Sequence, residues 1–83
     1  MDVTEISSLV RGLFPAAVTV PLTPATRLME EGICDSLGLV QLALEIEGRT
    51  GIRIPDQDIT AETFGSISAI AAFLASRRGS SLS

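Results

Sequence analysis

The sequence predicts an all-α bundle of four helices, three long and one short, with a long connection between the first and the second. Three observations predict it. Apolar residues recur at three- and four-residue steps in separate stretches, and nowhere does the chain alternate at the two-residue period of a strand. Those stretches are bounded by capping or breaking residues. With 83 residues and a single cysteine, the chain must hold its core without a disulfide or a zinc site, which at this length favours compact helix packing.

The first helix is expected from about Val3 to Phe14, where Val3, Ile6, Leu9, Val10 and Leu13 make one apolar stripe. Thr4 is its candidate N-cap, and Pro15 ends it because the residue before a proline avoids the α region. From Ala16 to Cys34 the chain reads as a loop, with Pro21, Pro24, Gly32 and the β-branched run Val18-Thr19-Val20. Leu22, Leu28, Met29 and Ile33 are its expected anchors, with a turn around Ala25 to Met29. A connection this long is functional or wrapped over the core in most compact domains.

The second helix has the clearest start, with Asp35 as N-cap, a run from Ser36 to about Arg49 and Gly51 as the stop. Leu39, Leu42, Ala43 and Ile46 share one face; Leu37, Val40 and Leu44 share another, offset from it. A helix buried all round would account for both faces, and so would an exposed docking surface. So few other helices exist to cover the second face that docking is the better account. Ile52, Ile54 and Pro55 then form an extended link, and Asp56, Gln57 and Asp58 offer caps for a brief turn near Ile59 to Thr63.

Ser66 is the expected N-cap of the last helix, which runs to about Arg77. Ile67, Ile70, Ala71 and Leu74 face inward, and Phe73 adds bulk. Arg77 and Arg78 would favour the negative end of the helix dipole, and Gly79 would stop it. These bounds place one domain over 1–78 and a disordered tail over 79–83.

Composition removes whole classes of function. There is no His, so no Ser-His-Asp or Cys-His arrangement, and no Lys, so no Schiff base. A net charge of −4 and only 4% aromatic residues argue against nucleic acid. The longest apolar run, Ala69 to Ala75, is too short to span a bilayer, and Met1-Asp2 does not open a signal segment, so a cytoplasmic protein is expected. Between Arg27 and Asp58 stand seven acidic residues against three arginines, which implies a basic partner.

Ser36 follows the N-cap directly and lies at the positive end of a helix dipole, where an anion is favoured by roughly 0.3–1 kcal/mol. Asp35 supplies the cap, so the Ser36 hydroxyl is spare. It has no base in its own chain and cannot be an activated nucleophile, but another enzyme can modify it. Cys34, surrounded by Glu30, Glu31 and Asp35, reads as a small inert core residue with a raised pKa. Glu30, Glu31, Asp56 and Asp58 fit no calcium loop and read as solvated charge.

Three segments together, Gly32-Ile33-Cys34-Asp35-Ser36-Leu37-Gly38-Leu39-Val40, Leu42-Ala43-Leu44-Glu45-Ile46-Glu47 and Gly51-Ile52-Arg53-Ile54-Pro55-Asp56, resemble the acyl and peptidyl carrier protein superfamily. The resemblance covers nearly the whole chain and implies an acyl-carrier-like bundle. It also implies that Ser36 carries a covalent 4'-phosphopantetheine arm, installed from coenzyme A by a phosphopantetheinyl transferase, with Asp35 capping the helix beside it. By the same resemblance Leu37, Val40, Gln41, Leu44 and Glu47 are read by docking partners. Those partners would be an adenylating or acyltransferase loading enzyme and later acyl-transferring or condensing enzymes, which carriers meet as monomers.

The run Glu30 to Gly38 is most similar to discrete D-alanyl and aminoacyl carriers; Gly38, Gln41 and Arg49 depart from the acidic pattern of fatty-acid carriers. The expected function is a stand-alone, non-catalytic aminoacyl or acyl carrier of a nonribosomal peptide or polyketide-type pathway. A fatty-acyl or polyketide extender carrier, or a helical interaction domain without the arm, are the alternatives.

Overall fold

The computed structural model describes the backbone of residues 1–81 and the side chains through residue 77. Its order is α1 (Val3–Leu13), α2 (Ala16–Thr19), α3 (Ser36–Thr50), a 3₁₀ turn at Asp56–Asp58, α4 (Ala61–Phe64) and α5 (Ile67–Ser81). Among the described residues there is no strand, and the three long helices of the expected bundle are present.

Helix α1 is capped by Asp2 rather than Thr4. The Asp2 side chain accepts the Glu5 N–H at 2.9 Å while Glu5 accepts the Asp2 N–H at 3.3 Å, so two otherwise unpaired donors are satisfied reciprocally. The helix ends at Leu13, one residue early, with Phe14 already extended and buried. The stretch read as loop from Ala16 holds a further helical turn, α2. Pro15 is its N-cap, and the ring's fixed φ suits a helix start. Pro21 and Pro24 come after that turn and do not oppose it.

The connection from Val20 to Asp35 is not free. The Leu28 N–H donates to the Gly65 carbonyl at 2.7 Å, and the Ser68 N–H donates to the Pro24 carbonyl at 2.9 Å. These bonds tie it to the α4–α5 corner, and the Leu28 side chain enters the core. Turns at Pro24–Ala25 and Leu28–Gly32 replace the expected Ala25 to Met29 turn. Ile33 is buried as well and Leu22 is half-buried, whereas Met29, an expected anchor, is exposed.

Beyond α3, Asp56–Asp58 form their own 3₁₀ turn, and α4 is capped by Thr60, which accepts the Thr63 N–H at 3.2 Å. Ser66 caps α5 as expected, accepting the Ala69 N–H at 3.2 Å. Helix α5 continues past Gly79, because a glycine inside a helix costs only about 1 kcal/mol relative to alanine and does not by itself end it. Arg77 therefore lies short of the last turn. It pairs with Asp58 and sits 5.1 Å over the Phe73 ring, which in turn packs 5.5 Å from Phe64. The Arg78 side chain, Leu82 and Ser83, and with them part of the expected tail, lie outside the described residues.

Helix α1 packs on α3 and α5, and α4 packs on α5. Ile6, Val10, Leu28, Leu42, Ile46, Phe64, Ile67, Ile70 and Leu74 are the largest fully buried side chains. They enclose only one flank of α3. No helix long and apolar enough to cross a membrane occurs among the described residues.

Candidate functional site

Helix α3 begins where the long connection ends, and the join is built with care. Asp35 is extended (φ −102°, ψ −171°), its Oδ1 accepts the Gly38 N–H at 2.8 Å, and its carbonyl accepts the Leu39 N–H at 3.0 Å. The approach is fixed from the other side by the Leu28 carbonyl, which accepts both the Ile33 and the Cys34 N–H, at 2.9 and 3.2 Å. Ser36 is thus the first residue of a helix whose entry is pinned at both ends.

The Ser36 side chain is exposed, and its hydroxyl makes no hydrogen bond to the described residues. The Ser36 and Leu37 amides also find no acceptor there, so they point the positive end of the helix at whatever the serine carries. An open depression of about 660 Å³ adjoins it, lined by Phe14, Met29, Ile33, Cys34, Ser36 and Gln41 among others. Its openness suits a tether that leaves the surface rather than a cofactor enclosed by it. A phosphodiester on the hydroxyl would meet free amides, the helix dipole and no steric obstruction, so these residues fit a covalent 4'-phosphopantetheine group.

The two faces of α3 separate as the spacing predicts. Leu39, Leu42, Ala43 and Ile46 are buried, while Leu37 is 75%, Leu44 61% and Val40 37% exposed. Leaving a large aliphatic side chain in water forgoes roughly 1.5–3 kcal/mol of burial, and here three stand on one face next to a spare hydroxyl. Gln41 is exposed on the same helix. Glu47 differs. It is half-buried, and its Oε2 accepts the Ile54 N–H at 2.7 Å, so this carboxylate ties the link after α3 to the helix instead of standing free.

The acidic surplus around α3 is likewise partly engaged. Glu45 faces Arg49 at 3.7 Å, and Arg27 pairs with Glu30 at 3.1 Å, so the exposed flank of the helix offers apolar contact more than negative charge. No group of metal-ligating side chains is found among the described residues.

Cys34 is half-buried beside the site, and its thiol pKa is raised, first by burial and then by the Asp35 carboxylate. Burial is the larger cause, where the sequence pointed to neighbouring charge; both disfavour the thiolate. Sequence reasoning missed Gly38, which counted only as a departure from an acidic pattern. Gly38 is buried, and a Cβ on it would stand 2.7 Å from the Cys34 Cβ and 3.1 Å from the Phe14 ring. A glycine three residues after the capping aspartate was the available signal.

Comparison with known proteins agrees with this geometry. A family model described as a phosphopantetheine attachment site matches residues 3–74. The D-alanyl carrier protein of Enterococcus faecalis is 51% identical over 39 residues, 47% of this chain and 50% of that protein. Aminoacyl carrier protein 2 of Bradyrhizobium diazoefficiens is 30% identical over 77 residues, 92% of this chain and 85% of its own length. The meromycolate extension acyl carrier protein of Mycobacterium tuberculosis is 32% identical over 57 residues, 69% of this chain and 46% of that protein.

Proposed function

Because this chain belongs to the carrier protein superfamily, whose members bear 4'-phosphopantetheine, we propose that Ser36 is the residue that carries the arm and that the cargo is an aminoacyl or short acyl group. One observation supports the assignment above all: the Ser36 hydroxyl is exposed and unbonded at the amino end of α3, beside the bare face of Leu37, Val40 and Leu44. When attached, the arm supplies a terminal thiol that holds the cargo as a thioester.

The rest of the task falls to this chain's own residues. Asp35 holds the first turn closed through the Gly38 N–H, so the hydroxyl is offered from a fixed backbone. The unpaired amides of Ser36 and Leu37 favour the phosphodiester charge. Leu37, Val40 and Leu44 give each visiting enzyme an apolar contact and Gln41 a polar one beside it, first the transferase, then an adenylating or acyltransferase loading enzyme, then an acyl-transferring or condensing one. With no His or Lys, the chain lacks the commonest general base and any Schiff-base amine, and in this reading each partner brings the catalytic groups and this protein serves as their substrate. Holding one activated group near successive active sites raises its effective concentration without any new chemistry.

An aminoacyl cargo is supported by the likeness to a D-alanyl and an aminoacyl carrier, and by the neutral Gly38 and Gln41 at the head of α3. We read the pathway as one of the nonribosomal peptide or polyketide type. Incubation with coenzyme A, Mg²⁺ and a broad-specificity transferase, followed by intact mass, tests the attachment. The wild type gains one phosphopantetheine and Ser36→Ala gains none; equal gain by both, or gain by neither, overturns the assignment.

A further inference from the structure

We propose that Gly38 is a positioning residue for the modification of Ser36, acting as the seat into which Cys34 and Phe14 close so that the start of α3 is held in one geometry. The inference rests on the reading of Ser36 as the attachment residue and goes on to say what aims it.

The argument is steric. Residues 34 and 38 lie on either side of the cap: Cys34 precedes Asp35, and Gly38 is the residue whose N–H Asp35 accepts. A Cβ at position 38 would come to 2.7 Å from the Cys34 Cβ, 3.1 Å from the Phe14 Cε1 and 3.4 Å from the Asp35 Oδ1. The first distance is far inside carbon–carbon contact, and it involves a Cβ, which cannot rotate away. The Phe14 ring is buried and has little room to retreat. Relief must come from the segment that carries Cys34, Asp35 and Ser36. That segment would swing outward, the Asp35 carboxylate would leave the residue-38 amide, and the Ser36 hydroxyl would lose its fixed direction.

Gly48 provides the contrast within the same helix. A Cβ there meets nothing within 4 Å. Both glycines carry the same cost in helix propensity, so only the contacts at 38 separate them. Nothing in the backbone demands glycine at 38 either, since the positive-φ glycines are Gly32 and Gly51.

The test is steady-state transfer from coenzyme A by a broad-specificity transferase, read by intact mass, together with amide exchange at residue 38. Gly38→Ala lowers kcat on the order of tenfold and speeds exchange at residue 38 by a similar factor, with KM for the carrier unchanged because the docking face is intact. Gly48→Ala changes neither. Adding Cys34→Gly to Gly38→Ala restores most of both losses, whereas adding Cys34→Ala, which keeps the offending Cβ, restores neither.

Wild-type kcat in Gly38→Ala, faster exchange without a loss of kcat, or equal rescue by Cys34→Ala overturns the proposal. Should Gly38→Ala not fold, the Gly38→Ala/Cys34→Gly variant carries the test, and a folded double variant labelled far below wild type overturns it. A wild type that takes up no phosphopantetheine overturns the attachment reading, and this role with it; a labelled wild type beside an unaffected Gly38→Ala removes this role alone.

Discussion

The two ends of α3 are built on opposite plans. At its amino end, Ser36 and Leu37 are exposed and their amides are unpaired, while the Asp35 cap, the Leu28 carbonyl and the close seat at Gly38 hold the turn. At its carboxyl end side chains and backbone are tied together instead. Gly51 takes the left-handed conformation (φ 73°) that only glycine adopts cheaply, and its N–H donates to the Glu47 carbonyl at 2.9 Å. The Thr50 hydroxyl donates to the Ile46 carbonyl at 2.7 Å and accepts the Ile52 N–H at 3.1 Å, while Glu47 accepts from Ile54. One end leaves donors free for an added group and the other spends its carboxylate on folding. Helix position alone thus does not tell a docking residue from a structural one; the hydrogen-bond partner does.

Substitutions at the two ends should accordingly separate binding from stability. The largest expected effect is at the open end: Leu37→Asp weakens engagement by the transferase and loading enzyme by about 2 kcal/mol, a KM increase of some thirtyfold, with thermal unfolding little changed because the side chain already faces water. Loss of folding with unchanged KM would contradict the docking assignment. At the closed end, Glu47→Ala leaves the buried Ile54 amide without its acceptor and costs about 1–3 kcal/mol in denaturant unfolding, while kcat and KM for modification of the folded protein stay near wild type. An unchanged unfolding midpoint with a raised KM would return Glu47 to the docking surface.

The smallest effect concerns Cys34. Its raised thiol pKa means that the folded state keeps a proton the unfolded state releases, so the associated stability is present below the ordinary thiol range and is lost as pH rises through the raised value. Alkylation by iodoacetamide at mildly alkaline pH should be slower in the folded than in the unfolded chain. Equal rates would show the thiol unprotected.

Much of this was legible beforehand. The start of α3, its buried face and its bare face follow from Asp35, Gly51 and the three- and four-residue spacing, all of them local signals. The cap of α1 is legible too, since Asp2 and Glu5 stand three apart, although Thr4 offers a competing capping hydroxyl two residues on. Helix α2 is hard to see because Pro21 and Pro24 speak against a helix over the whole connection, although the turn that Pro15 begins ends before them. The hydrogen bond of Glu47 is not legible, and at Gly38 the spacing from Asp35 marks the glycine but not its neighbours, because the fold supplies them: an amide seven residues on, and the Cys34 side chain across the cap together with Phe14 just after α1. Spacing gives faces; tertiary contacts decide what each side chain on a face does.

The central claim is tested most directly by fragment mapping of the protein after incubation with coenzyme A and a transferase. The account predicts that the added phosphopantetheine lies on Ser36 alone. Mass on Ser7, Ser8, Ser66, Ser68 or any other hydroxyl, with Ser36 unmodified, would contradict it.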